Sequence, residues 1–340
     1  MPGRLVVLLG AGASYDCADG IGADLTPGYQ PPLVYDLFAR RPTFDVILNK
    51  YPGARARADE IRTAVIKRGT GLEDLLRRMA VSSSLSLRRT IWEVPLYLQE
   101  LLGEISLNWV RAGSTKFETL IATIMESSFN EILILTVNYD RFVEQAVSSL
   151  MQKTFTTLSD YIWSCDGKEW ALVKLHGSVD WGRRLRPSQK ANTWEQIIPR
   201  LNELSLDADI RLIGGYKDHL RFRDQEFFYP ALSLPVTGKT EFVCSADHLK
   251  FGELFVLEAT HLLVIGFSGL DNHVLETFIQ KMPAVSALRV VCGNGDMSAQ
   301  TWHRLMGVNP KLDISGPIHE GGFNAFVSSG ELAAFLGVGR

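Results

Sequence analysis

Five short, almost wholly apolar runs punctuate the chain, and each ends abruptly in glycine or a polar residue. They are Leu5–Leu9 before Gly10, Leu133–Val137 before Asn138, Ala171–Leu175 before His176, His261–Ile265 before Gly266, and Leu288–Cys292 before Gly293. Apolar runs of this length without alternation predict strands buried on both faces, as in parallel sheets. Most are followed by helix-spaced patterns, as where Arg141, Phe142, Val143 and Ala146 follow the second run. From Asp59 to about Ser128, Ile61, Val65, Leu72, Leu75, Leu76 and Met79, then Ile91, Val94, Leu98, Leu101, Leu102, Ile105 and Trp109 recur every three or four residues. The expected fold is α/β: a doubly wound, mostly parallel Rossmann-like sheet in one domain over 1–340, with a helical insertion at about 59–128.

The remaining segments carry weaker patterns. Residues Asp16 to Pro32, rich in Gly, Pro and Asp, predict a long loop covering the turn before it. Leu33–Phe38 reads as a helix after a Pro start, with Leu33, Val34, Leu37 and Phe38 on one face, rather than as a strand ending in Asp36. Thr154 to Lys168 reads as an irregular connection, and Ser178 and Asp180 as part of a turn after His176 and Gly177. Arg183 to Phe228 is loosely patterned, with room for a helix near Trp194 to Leu204. A long helix is expected from about Thr240 to Ala259, another capped by Asp271 and Asn272 and running through Lys281, and a short one at Glu331 to Leu336.

Composition narrows the class. Hydrophobic content of 46% and charged content of 21% belong to a globular protein. A net charge of -3 argues against a generally cationic nucleic-acid surface, and basic pairs such as Arg77-Arg78 and Arg88-Arg89 read as solvated helix faces. No apolar run reaches the roughly 18 to 20 residues of a membrane span. The apolar stretch after Arg4 is shorter than the roughly 7 to 15 residues of a signal-peptide core. Cys17, Cys165, Cys244 and Cys292 are scattered, which suits reduced thiols in a cytoplasmic protein and contains no zinc-ligand spacing.

Candidate chemistry gathers at the strand ends, where open α/β sheets bind ligands. Gly10-Ala11-Gly12-Ala13-Ser14 forms a turn whose glycines allow close backbone approach to a phosphate. Tyr15 breaks the Gly-x-Gly-x-x-Gly dinucleotide fingerprint, which with the helical reading of Asp36 argues against a dehydrogenase. Asn138 and Asp140 end the central strand, and Asp140 has two readings, a ligand contact or the cap of the following helix. Ser14 likewise reads as a phosphate ligand or a cap. His176, followed by glycine, presents an imidazole, a side-chain type that can serve as a general base.

Taken together, Gly10–Ser14, Thr136-Val137-Asn138-Tyr139-Asp140, Lys174-Leu175-His176-Gly177-Ser178, Val264-Ile265-Gly266-Phe267-Ser268 with Asp271, and Gly293-Asn294 resemble the sirtuin superfamily. The resemblance is to its bacterial, NAD-consuming, antiphage-defence branch more than to its protein deacylases. The two close-spaced pairs of zinc cysteines and the Pro-Asp-Phe-Arg segment of the deacylases are missing. The resemblance implies an NAD glycohydrolase that uses NAD as substrate and needs no metal. It implies Asn138, His176 and Asp140 around the nicotinamide ribose, with Gly10, Ala11, Gly12, Ala13 and Ser14 at the phosphates. Gly266, Ser268, Asp271 and Asn294 would complete the NAD site. The helical segment Asp59 to Ser128 is the candidate for contacts in a homo-oligomer, and with no separate sensor domain evident, control is expected from a partner ATPase or a phage-derived trigger. Two alternatives stay open: a non-catalytic module that binds NAD or ADP-ribose, and a zinc-free deacylase.

Overall fold

The computed structural model of the chain describes residues 3–17, 29–68, 75–76, 78–79, 84–112, 115–186, 194–197, 205–214, 227–233, 242–312 and 318–339. Strand β1 (Arg4–Leu9) runs into the short helix α1 (Ala11–Tyr15). Helices α2 (Pro42–Leu48), α3 (Pro52–Arg68), α4 (Leu85–Ala112) and α5 (Lys116–Glu126) follow, then β2 (Glu131–Thr136) and α6 (Phe142–Met151). Strands β3 (Ile162–Cys165), β4 (Lys168–Lys174), β5 (Gly177–Arg186), β6 (Ser205–Leu212) and β7 (Phe227–Leu232) come next. The chain then forms α7 (Ala246–Val256), β8 (His261–Ile265), α8 (Asn272–Thr277), β9 (Ala287–Val291) and α9 (Gly295–Val308). It closes with β10 (Ile318–His319), α10 (Phe323–Ser328) and α11 (Glu331–Leu336).

Seven strands form one sheet in the order β10-β9-β8-β1-β2-β4-β3, parallel throughout except for the antiparallel edge strand β3. The five apolar runs supply its five central strands. Their residues alternate between two cores: Leu5, Val7 and Leu9 face one side of the sheet, Val6 and Leu8 the other. The first core joins α4, α5, α6, α10 and α11, and the second joins α7, α8 and α9. Helices therefore cover both faces, which makes the sheet doubly wound. Leu9, Thr136 and Ile265 lie in register, so the ends of β2, β1 and β8 meet at one level. From β1 the chain pairs first toward β2 and later returns to add β8 on the other side, which places the topological switch point at β1.

Several local expectations are corrected. Thr154 to Lys168 is ordered: the Thr157 and Asp160 side chains form a capping box over a 3-10 turn at Leu158–Tyr161, which leads into β3. Beyond His176 the chain forms no turn of Ser178 and Asp180 but the ten-residue strand β5, where both side chains are buried. β5 is the centre of a second, antiparallel sheet, β6-β5-β7. That sheet packs on α4, where Gln99 Nε2 donates to Val179 O at 2.8 Å and Tyr229 OH donates to Trp92 O at 2.8 Å. The helix expected from about Thr240 starts later among the described residues: Phe242 and Val243 are not helical, Val243 N donates to Leu175 O at 2.8 Å, and α7 begins only after Ser245, whose side chain accepts from His248 N at 3.2 Å. Leu33–Phe38 shrinks to a 3-10 turn at Val34–Asp36; Leu37 and Phe38 are buried while Val34 is exposed, because three residues cannot carry an apolar face. The helix capped by Asp271 stops at Thr277 and continues as a 3-10 turn at Ile279–Lys281. Arg89 is no solvated charge, since its Nε lies 2.6 Å from the buried Glu93 carboxylate. Residue 77 and most of the expected cover loop lie outside the described residues.

Candidate active site

The site is built where β2, β1, β8 and β4 end. At β1 the turn Gly10–Ala13 is locked to the turn after β8: Gly10 N donates to Ile265 O at 2.9 Å, and Gly12 N to Gly266 O at 3.0 Å. Gly266 has φ +64°, and a Cβ there would lie 2.0 Å from Ala13 N. A Cβ on Gly10 would lie 2.5 Å from Gly266 O. The glycines thus allow two loops to interlock, and the Ala11 N–H is left with no acceptor among the described residues.

Asn138 sits one residue beyond Val137, whose N donates to Leu9 O at 3.2 Å. Its backbone N donates to Thr136 Oγ1 at 3.0 Å. Its side-chain Nδ2 donates to Gly10 O at 3.0 Å and to Ser14 Oγ at 2.9 Å. A carbonyl can only accept, so the Gly10 bond fixes which end of the amide is the NH₂. The other end, Oδ1, is buried and has no partner among the described residues. Leaving such an acceptor unsatisfied costs about 1–3 kcal/mol, a cost that persists at sites made for a ligand donor.

Ser14, expected at a phosphate or as a cap, is 3% exposed and is spent inside this network. It accepts from Asn138 and donates to Asp140 Oδ2 at 2.6 Å. Asp140 also accepts from Phe142 N at 3.3 Å, a bond at the start of α6. Both carboxylate oxygens therefore face protein donors. Burial pushes the Asp140 carboxyl above its ordinary range, against the pull of the Lys174 ammonium and of the Ser14 and Phe142 hydrogen bonds. The same carboxylate, after burial, pushes up the Cys17 thiol. Lys174, 1% exposed, donates to the Asp140 backbone carbonyl and to Glu144 Oε1 at 2.9 Å. Glu144 is not evident from the sequence as part of the site, and Lys174, although it opens the Lys174–Ser178 motif, has no role assigned there. The only signal is that Lys174 is a lysine in the last position of an otherwise apolar, fully buried strand end.

His176 projects from the β4 end. Its carbonyl accepts from Ser233 N at 2.8 Å, and Leu175 O accepts from Val243 N at 2.8 Å. Gly177 follows with φ +87°, and a Cβ there would strike Ala231 O at 1.8 Å, so only glycine lets the chain turn into β5 beside β7. The imidazole reaches across the strand ends: His176 Nε2 lies 2.8 Å from Asp271 Oδ2, in the turn after β8. Asp271 Oδ1 accepts from Val274 N at 3.1 Å as the N-cap of α8. Burial opposes ionisation of Asp271, but the hydrogen bond and charge of His176 and the Val274 N–H hold its carboxyl below the ordinary range. Asp271 is thereby brought to the candidate base. Ser268 and Asn294 are exposed at the rim, where Asn294 caps α9 by accepting from Met297 N at 2.9 Å. Arg304 Nη1 donates to Ser268 O at 2.5 Å.

Among the described residues no group of three or more His, Cys, Asp or Glu side chains could hold a metal ion, and all four cysteines are free. Among the same residues no helix is long and apolar enough to cross a membrane.

Fold and site together define an open α/β protein in which Asn138 stands at the switch-point end of the sheet and the His176–Asp271 contact spans the neighbouring strand ends. No protein-family model matches the chain, and no curated protein matches it. Solved structures similar to it include a Sir2 homologue in complex with NAD, at 13% identity over 98% of this chain and 89% of the other, with a TM-score of 0.44. A structure of a Sir2 enzyme addressing mechanism and regulation aligns at 13% identity over 99% and 92%, with a TM-score of 0.41. A mutant Sir2 homologue in complex with ADP-ribose aligns at 14% identity over 98% and 91%, with a TM-score of 0.41.

Proposed function

We propose that the chain is an NAD glycohydrolase that cleaves NAD to nicotinamide and ADP-ribose. The observation that carries this reading is the Asn138 amide, clamped through Nδ2 by Gly10 and Ser14 while Oδ1 stays buried and unpaired beside the switch point. An acceptor so placed holds a ribose hydroxyl or a water molecule by its proton. Cleavage of the bond between the ribose anomeric carbon and the pyridinium nitrogen leaves positive charge on the ribose, while nicotinamide departs as a neutral base carrying the bonding pair. Such a reaction needs a held ribose and a placed water more than an acid. Asn138 supplies the placement, His176 takes the proton of the water or of a ribose hydroxyl, and Asp140 keeps the Asn138 amide aligned through Ser14.

The turn Gly10–Ser14 would hold the phosphates through its main chain, with Gly266, Ser268 and Asn294 toward the adenosine end. Hydrolysis is favoured over transfer to an acylated peptide by the pairing around His176. An extended peptide docks on free strand-edge groups, and here Leu175 O and His176 O are taken by Val243 and Ser233. The resemblance to the bacterial branch extends the reading to antiphage defence by NAD depletion, as a homo-oligomer under control of a partner ATPase or a phage-derived trigger.

The test is incubation of the purified chain with NAD and mass spectrometry of the products, beside Asn138→Ala and His176→Ala. Release of nicotinamide and ADP-ribose, lost in both folded variants, is the expected result. Tight NAD binding without turnover, even after addition of lysate from phage-infected cells, would mean a regulatory binding module instead.

A further inference from the structure

The hydrogen bond between His176 and Asp271 joins two elements that the sheet order keeps apart, since β4 and β8 flank β2 and β1 on opposite sides. Both partners are fixed from behind. Asp271 has Oδ1 bound to Val274 N, which leaves Oδ2 for the imidazole. The turn that carries it is tied to β1 through Gly10 and Gly12, and to α9 through Arg304. His176 is tied on one side by Leu175 N donating to Thr136 O at 2.8 Å, and on the other by its own carbonyl. Neither backbone can drift away from the other without breaking main-chain bonds.

An ionised carboxylate only accepts, so the ring nitrogen facing it carries a hydrogen. In a neutral imidazole the other nitrogen then holds the lone pair. His176 Nδ1 has no hydrogen-bond partner among the described residues, and the side chain is 16% exposed, so that nitrogen is free to meet a ligand. Among the described residues, titratable groups near the pair include His273, whose charge acts on Asp271, and Tyr139, whose ring centroid lies 6.3 Å from that of His176.

We infer that Asp271 is a positioning residue: it holds His176 in the tautomer protonated on Nε2 and so makes Nδ1 the nitrogen that accepts the proton in the reaction. This rests on the hydrolase reading for the identity of the reaction, though the tautomer itself is a property of the free protein. In the step concerned, the oxygen of a water molecule bonds to the anomeric carbon as nicotinamide leaves with the pair of the C–N bond, and the water O–H bond that breaks gives its proton to Nδ1, directly or through a ribose hydroxyl that passes its own proton on and takes the water's. The ring becomes an imidazolium hydrogen-bonded to Asp271, and the proton is later lost to solvent. The role differs from the one the sequence implied, in which Asp271 contacts NAD itself.

The experiment uses ¹⁵N-labelled full-length chain, with the His176 signals assigned by their loss in His176→Gln. Wild type is expected to show a protonated Nε2 and an unprotonated Nδ1. Asp271→Ser keeps a good N-cap acceptor for Val274 but does not reach the ring, and it is expected to show a mixture of tautomers. Asp271→Asn, whose one amide oxygen is held by the Val274 N–H, turns its NH₂ toward the ring and is expected to shift the imidazole to the Nδ1–H form. In turnover, Asp271→Ser should lower kcat by about tenfold, within the range seen when partners that orient a functional histidine are removed, with KM little changed, and Asp271→Asn should lose at least as much. An Nδ1–H form in wild type, or unchanged tautomers in Asp271→Ser, overturns the inference. So does a rise in KM at constant kcat, which would make Asp271 a ligand contact. Should wild type show the expected tautomer and its loss in Asp271→Ser but no NAD cleavage, the pairing stands and the hydrolase reading falls.

Discussion

Asn138 and His176 stand at the ends of adjacent parallel strands, yet they are held in opposite ways. Asn138 is buried, and its amide is gripped by a main-chain carbonyl and by a hydroxyl that is itself gripped by Asp140. Every partner lies within the β1 and β2 ends, the innermost part of the sheet. His176 is partly exposed, and its side chain depends on one carboxylate that arrives from beyond β1. The first arrangement fixes an orientation through neighbours that cannot move without unpairing the central strands. The second fixes a protonation pattern through a single bond across the crevice. A site that must place a molecule with one group and move a proton with another has reason to use both, since placement rewards rigidity and proton transfer needs an approachable nitrogen.

The contrast predicts unequal losses. Asn138→Ala should remove the placing group and cost about 10³-fold in kcat, at the upper end of what one preorganised hydrogen-bonding group supplies. His176→Ala should cost less, about 10²-fold, at the lower end of general-base contributions, because water can replace part of a base function. Steady-state NAD turnover measures both. A larger loss for His176→Ala than for Asn138→Ala would reverse the assignment of roles.

Ser14→Ala sharpens the comparison from the inside. It leaves Asn138 its Gly10 bond but removes the hydroxyl that relays to Asp140, and the half-buried carboxylate keeps main-chain donors such as the Phe142 N–H. We expect about a tenfold fall in kcat and about 1–3 kcal/mol of lost stability in urea unfolding, the range for stranding a buried acceptor. A variant that lost NAD affinity but neither kcat nor stability would return Ser14 to the phosphate role.

How much of this is written in the sequence follows from the range of the interactions. The five central strands are legible because each is a continuous apolar run, and a strand buried on both faces needs little else. That Asn138, Asp140 and His176 share one end of the sheet follows from their places after such runs. The antiparallel sheet is not legible. β5 carries Ser178, Asp180 and Arg183 among its residues, and Ser178 and Asp180 are buried against partners distant in sequence, such as Arg141 at 3.1 Å from Asp180. The His176–Asp271 bond and the Asn138–Ser14–Asp140 chain have no local signature either. Each depends on how far two loops at the ends of non-consecutive strands lean toward one another, which is set by the interlock of Gly10 with Gly266 rather than by the composition of either loop.

The smallest expected effect concerns the acid behind Asn138. Burial raises the Asp140 carboxyl above its unfolded value, with Lys174, Ser14 and Phe142 offsetting only part of the rise. A carboxyl raised on folding contributes stability that is fully present below the unfolded value, near 3.9, and is lost as pH climbs through the folded one. At neutral pH the folded protein therefore bears the cost of an ionised buried group, and Asp140→Asn is relieved of that cost. The difference in Tm, variant minus wild type, should accordingly rise from pH 4 to pH 7, even as the variant loses NAD turnover because its amide can no longer be a pure acceptor for Ser14. A Tm difference that stayed flat or fell over that interval would mean that the Ser14 and Phe142 bonds outweigh burial. Asp140 would then stabilise the fold in its charged form, and the site would hold Asn138 without any conflict between stability and function.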